Sequence, residues 1–177
     1  MAFSGEHHPG VAPTPEETQG FRLNHTMLRI KDPERALAFY SRVFGMQVMR
    51  RLDFEEMQFS LYFLAKLEDG DTVPEDVSAR TAWTFSQKGL LELTHNWGTE
   101  DQPDFAYHDG NAEPQGFGHI CFCVPNLEAA QAWFDEQEVT FVKRADQGKM
   151  KDVIFVKDAD GYWIEVIQAD RMTNKGD

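Results

Sequence analysis

The sequence predicts an α+β domain made of two tandem βαβββ modules that form curved mixed sheets. Three observations predict it. First, residues 25–40, HTMLRIKDPERALAFY, lie over residues 119–134, HICFCVPNLEAAQAWF, without a gap. His25 falls on His119, Glu34 on Glu128, Ala36 on Ala130 and Ala38 on Ala132, and apolar positions match too, Leu28 with Phe122 and Ile30 with Val124. Self-similarity of this kind marks a repeated supersecondary unit. Second, each repeat passes from a strand-like run to helical spacing and back to strands. Third, the last strand of each repeat carries a glutamate between aliphatic residues, Glu92 in LLELTHN and Glu165 in GYWIEVIQ.

Module one, about 22–100, opens on an alternating strand near 22–30. Asp32-Pro33 reads as an N-cap followed by proline at the first helical position. Ala36, Leu37, Tyr40, Val43 and Phe44 recur at helical spacing, and Gly45 suits the residue just past a helix end. Strands follow at 46–53, 58–65 and 90–95, the last two separated by LEDGDTVPEDVSART, which reads as a polar loop. Module two, about 116–170, has a strand at 119–124, Asn126 as the N-cap of a helix reaching Gln137, and strands at 139–144, 153–157 and 162–168. DADG at 158–161 marks a hairpin turn and lacks the ligand ladder of a calcium loop. Residues 1–20 hold three of the eight prolines and read as a flexible arm with His7 and His8 in solvent. Residues 173–177 read as a tail, leaving 21–172 as a single domain.

A chain of 177 residues can bury a real core. Its net charge of −13 argues against nucleic acid, which asks for clustered Lys and Arg. No apolar run approaches the roughly 20 residues of a membrane span. The N-terminal stretch MAFSGEHHPG has no apolar core of a signal peptide, so a cytoplasmic protein without membrane contact is expected. Cys121 and Cys123, two apart on one strand, are poorly placed for a structural disulfide. They read as reduced, small buried hydrophobes.

Neighbours on a strand point to opposite faces, so each glutamate lies opposite its aliphatic flanks. For a single Glu, a sheet with one wet face explains this. Two histidines that open the first strands and two glutamates in the last strands, at equivalent places, change the reading. Together they would form a His₂Glu₂ site for a borderline divalent ion such as Zn²⁺, Ni²⁺ or Co²⁺. The ion would offset the cost of burying two carboxylates and leave positions open for water or substrate. A rival set, His119 with Cys121 and Cys123, is splayed by about 6–7 Å per inward position, too far to grip one ion. His95 lies one off the Glu92 face and His108 lies in a loop. Arg29 shares a face with His25, where a carboxylate-binding role is at least as expected as a surface charge. Asn96 shares the Glu92 face. Lys143, Lys149 and Lys151 fall in VKRADQGKMK, a flexible loop where lysines alone read as solvated.

TMLRIKDPERALAFYSRVFGM, FSLYFLA, LELTHNWGTED, GFGHI, GKMK and DADGYWIEV together resemble the glyoxalase I family of the vicinal-oxygen-chelate superfamily, from about residue 22 to 172. The resemblance implies that His25, Glu92, His119 and Glu165 are metal ligands. It implies a homodimer whose sites lie at the interface, His25 and Glu92 from one subunit, His119 and Glu165 from the other. It assigns glutathione contacts to Arg29, Asn96, Lys143, Lys149 and Met150, and an apolar pocket to Leu52, Phe54, Leu61, Phe63, Met150 and Val153. The implied reaction isomerises the methylglyoxal–glutathione hemithioacetal to S-lactoylglutathione through an enediolate. Glu165 matches the principal base and Glu92 its pseudo-symmetric partner. His25 stands where animal members have glutamine, and Gln115 where they have a glutathione-binding arginine. The N-terminal arm and the LEDGDTVPEDV insertion are similar to the zinc-activated class, so zinc is expected over nickel or cobalt. Other readings of the same fold are a ring-cleaving dioxygenase, a thiol transferase and a metal-free ligand-sequestering protein.

Overall fold

The computed structural model describes residue 5 and residues 8–173. The chain forms β1 (His25–Ile30), α1 (Pro33–Phe44), β2 (Gln47–Phe54), β3 (Phe59–Ala65), α2 (Val77–Ser86), β4 (Leu90–Asn96), β5 (His119–Cys123), α3 (Leu127–Glu136), β6 (Phe141–Lys143), β7 (Val153–Lys157) and β8 (Trp163–Ile167). Of the arm expected over 1–20, residues 1–4, 6 and His7 lie outside the described residues, as do 174–177 of the tail. His8 is exposed, and 16–18 make one short 3₁₀ turn.

The two sheets repeat one plan. Their strand orders are β1-β4-β3-β2 and β5-β8-β7-β6, which correspond strand for strand. In each, the histidine strand sits at an edge and runs parallel to the glutamate strand, with the other pairs antiparallel.

Local chemistry sets the helix starts. The Asp32 carboxylate accepts from the backbone N–H of Glu34 and Arg35, and Pro33 occupies the first turn of α1. Asn126 caps α3 through Ala129 N–H. Each such cap contributes about 1 kcal/mol. Gly45 ends α1 at φ 64°, in the left-handed region open to glycine. After α3 that role falls to Glu138, at φ 55°. The stretch read as a loop over 67–81 is corrected: Asp76 caps α2 through Ala79 N–H, and the polar residues behind it form that helix.

One apolar core joins both modules. Leu28, Ile30, Tyr62, Leu64, Leu91 and Leu93 line the inner face of the first sheet, and Ile154, Val156, Ile164 and Val166 that of the second. Between them α1 meets module two: Phe44 stacks on Phe122 of β5 at 4.3 Å and tilts on Phe134 of α3 at 5.6 Å. Trp133 Nε1 donates to Val43 O at 2.9 Å. Each buried Ile, Leu or Val in this layer contributes about 1.5–3 kcal/mol. The Asp158 turn latches the modules, its Oδ2 accepting from the Tyr40 hydroxyl at 2.7 Å. With the inner faces filled, the opposite face of each sheet is left for chemistry.

Candidate metal centre

Strand alternation decides what the outer faces carry. On the first sheet they hold His25, Met27 and Arg29 from β1, Glu92, Thr94 and Asn96 from β4, Phe59, Leu61 and Phe63 from β3, and Leu52 and Phe54 from β2. Leu52 faces Leu61, and Phe54 stacks on Phe59 at 4.7 Å, so the expected apolar residues of module one form one floor beside the candidate ligands.

Glu92 pairs with Met27 across the parallel strands, and His25 is the next residue on the same face. This diagonal brings His25 Nε2 to 2.9 Å from Glu92 Oε2. Glu92 Oε1 accepts from the Thr94 hydroxyl at 3.0 Å. Glu92 is 9% exposed, so its carboxylate is nearly dry. His25 Nδ1 bonds Asn24 Oδ1 at 2.8 Å.

Module two repeats the diagonal. Glu165 pairs with Cys121, and His119 Nε2 lies 3.3 Å from Glu165 Oε2. An aromatic edge supports each histidine: Phe63 at 5.4 Å from His25 and Phe155 at 5.4 Å from His119. Phe155 is the Cα partner of Glu165, as Phe63 is of Glu92. Sequence reasoning missed Phe155. Its signal is the register, since it opposes Glu165 as Phe63 opposes Glu92.

The structure therefore gathers the four candidate ligands as two pairs. Among the described residues, no group of three or more His, Cys, Asp or Glu side chains forms a ready cation cluster. The donor chemistry of each pair fits a divalent ion, an imidazole Nε2 aimed at a carboxylate oxygen. Each pair holds two of the four candidate ligands.

The two cysteines are not buried as expected; both are free and exposed, because β5 is an edge strand. The Cys121 sulfur nevertheless lies against Glu165, and lost hydration, together with that carboxylate, pushes the thiol up to about 12. It is therefore a protonated donor near neutrality. His95, on the inner face, is a satisfied core histidine, its Nε2 2.6 Å from Glu100 Oε2. His108 Nδ1 accepts from Gly110 N–H.

Arg29 is exposed on the ligand face of the first sheet. The Asn96 amide donates to the Tyr107 hydroxyl at 2.9 Å. Lys143 pairs with Phe155 and so belongs to the ligand face of the second sheet, with its Nζ donating to Val153 O at 2.6 Å. Lys149 and Met150 lie on an exposed loop off both sheets, whereas Val153 is buried in β7. Sequence reading also missed Phe85 of α2, whose ring meets Phe63 edge-on at 4.9 Å beside His25. A cleft of about 480 Å³ separates the Lys66–Leu90 end of module one from the exposed His119 and Cys121 of β5.

Paired four-stranded sheets with a His–Glu pair on each outer face describe the architecture, and the chain belongs to the glyoxalase/bleomycin resistance protein/dioxygenase superfamily, whose family model matches residues 22–166. Among its relatives, a lactoylglutathione lyase of Pseudomonas aeruginosa is 55% identical over 170 residues, 96% of this chain and 95% of that protein. A lactoylglutathione lyase of Pseudomonas putida is 53% identical over 90% of this chain and 92% of its own length. Among solved structures, Leishmania major glyoxalase I matches at a TM-score of 0.62 and 28% identity, covering 88% of this chain and 91% of that one.

Proposed function

We propose that this chain is a lactoylglutathione lyase that isomerises the hemithioacetal of methylglyoxal and glutathione to S-lactoylglutathione. The observation that carries it is the pair of equivalent imidazole–carboxylate contacts, His25–Glu92 and His119–Glu165, in a chain 55% identical to a lactoylglutathione lyase. His25 and Glu92 of one subunit, with His119 and Glu165 of a second, would hold one divalent ion, zinc by preference. That ion would supply the electrophile that polarises the two vicinal oxygens and stabilises the enediolate.

The residues of the chain do the rest. Glu165 takes the proton from the carbinol carbon and returns it to the adjacent carbon. Glu92, its pseudo-symmetric partner, serves mainly as a ligand. Leu52, Phe54, Leu61, Phe63, Met150 and Val153 hold the apolar end and keep water from the reacting carbons. Arg29, Lys143 and Lys149 offer cations, and Asn96 an amide, to the anionic tripeptide, within a chain of net charge −13.

Two features support the homodimer. Both histidine strands are sheet edges, and Phe21 and Leu23, just before β1, are 79% and 78% exposed. Lone half-sites and exposed apolar residues are what a self-complementary partner covers. No helix of the described residues is long and apolar enough to cross a membrane, in keeping with a proposed cytoplasmic enzyme. The test strips the purified protein with a chelator, refills it with single metals and follows thioester formation from methylglyoxal and glutathione. Activity that returns with zinc at one ion per site is expected. Metal-independent activity, or none with any metal, would overturn the reading.

A further inference from the structure

The two half-sites are built from equivalent strands, yet what surrounds them differs. The overlay that places His25 on His119 places Asn24 on Gly118. The one that places Glu92 on Glu165 places Thr94 on Ile167. Module one thus has a carboxamide behind its histidine and a hydroxyl beside its carboxylate. Module two has neither at those positions.

Asn24 is held from behind. Its Nδ2 donates to two carbonyls at the end of α2, Gln87 O at 2.9 Å and Thr84 O at 3.2 Å. That uses the amide hydrogens and orients the group, so only Oδ1 can face His25 Nδ1, at 2.8 Å. A carboxamide oxygen accepts and cannot donate, so Nδ1 carries a hydrogen and Nε2 is the nitrogen aimed at Glu92. A hydrogen on Nδ1, held by an acceptor, is what an imidazole that ligates through Nε2 needs. Thr84, which supplies one of the carbonyls, is fully buried at 0% exposure.

Thr94 does the matching job on the carboxylate. Its hydroxyl donates to Glu92 Oε1 at 3.0 Å while Oε2 faces His25, so both oxygens are placed. Thr94 is itself 8% exposed. Glu165 has a weaker neighbour, the Cys121 thiol, and a longer contact to its histidine, 3.3 Å.

We propose that Asn24 and Thr94 are positioning residues that make His25–Glu92 a prearranged, rigid grip on the cation, and that His119–Glu165, lacking both, is the adaptable half. This rests on the metal-site reading above. It explains how a pseudo-symmetric site assigns different tasks to its two carboxylates: the fixed one holds, and the looser one can leave to move a proton.

The test uses Asn24→Ala, Thr94→Val and Thr94→Ser in the full chain. Zinc affinity, measured by competition with a chromogenic chelator, is expected to fall about 10–100-fold in Asn24→Ala and Thr94→Val. Thr94→Ser, which keeps the hydroxyl, restores it. Nitrogen NMR of ring-labelled histidine is expected to show a hydrogen on His25 Nδ1, a preference lost in Asn24→Ala. Unchanged zinc affinity in the Asn24→Ala and Thr94→Val variants, or a His25 Nδ1 without a hydrogen in the unsubstituted chain, overturns the proposal. If Asn24→Ala does not fold, the Thr94 pair decides it, since Val nearly matches Thr in shape. An unsubstituted protein that binds no zinc contradicts the metal reading, while the tautomer measurement still decides the role of Asn24.

Discussion

His25 Nε2 lies 2.9 Å from Glu92 Oε2, across two parallel strands, because Glu92 pairs with Met27 and His25 is the next residue on that face. The same diagonal sets His119 against Glu165. Two carboxylates at equivalent positions of the two modules invite a direct comparison.

Glu165→Gln keeps the shape and one ligand oxygen but loses the basicity. With occupancy restored by excess zinc, its kcat is expected to fall about a hundred- to ten-thousandfold. Glu92→Gln under the same conditions retains more activity. A more damaged Glu92 variant at equal occupancy reverses the assignment of the base.

Arg29 is exposed on the ligand face, so its loss is expected to cost the fold little. Arg29→Ala is expected to weaken use of the hemithioacetal about 10–100-fold, the worth of a charged hydrogen bond. Its unfolding free energy should move by no more than about 0.5 kcal/mol. Steady-state kinetics beside denaturant melts check both; lost stability with unchanged kinetics would make Arg29 structural.

Asp158 lies in the latch between the modules, where burial pushes its carboxyl up from 3.8 to about 6. A folded pKa above the unfolded one favours the protonated form in the fold. Its contribution is full below the unfolded pKa and is lost as pH rises through about 6. At most about 3 kcal/mol is involved. Asp158→Asn removes this titration, so its stability relative to the parent should rise as pH climbs from about 4 to 7. Melting curves across that range test it, and a constant difference would refute it.

The parts legible in the sequence were those that repeat or follow local rules. The caps Asp32 and Asn126, the turn at 158–161 and the four candidate ligands stand out because each is set by neighbours or by the overlay of the modules. α2 was hidden because DVSARTAWTFS is polar at its start and follows a loop rich in Asp and Gly, although Asp76 was a readable cap. Missing α2 also hid Phe85 and the support of Asn24, which depend on where that helix ends. The cysteines were misread because apolar composition does not reveal that β5 is an edge.

One working site is proposed to combine His25 and Glu92 of one subunit with His119 and Glu165 of another. The most direct measurement mixes two inactive proteins, His25→Ala and His119→Ala, lets their subunits exchange and assays the mixture with zinc. Random exchange makes about half the dimers hybrids with one intact site each, so roughly a quarter of the parent activity should return. Demonstrably mixed dimers without activity would rule out a site shared between subunits.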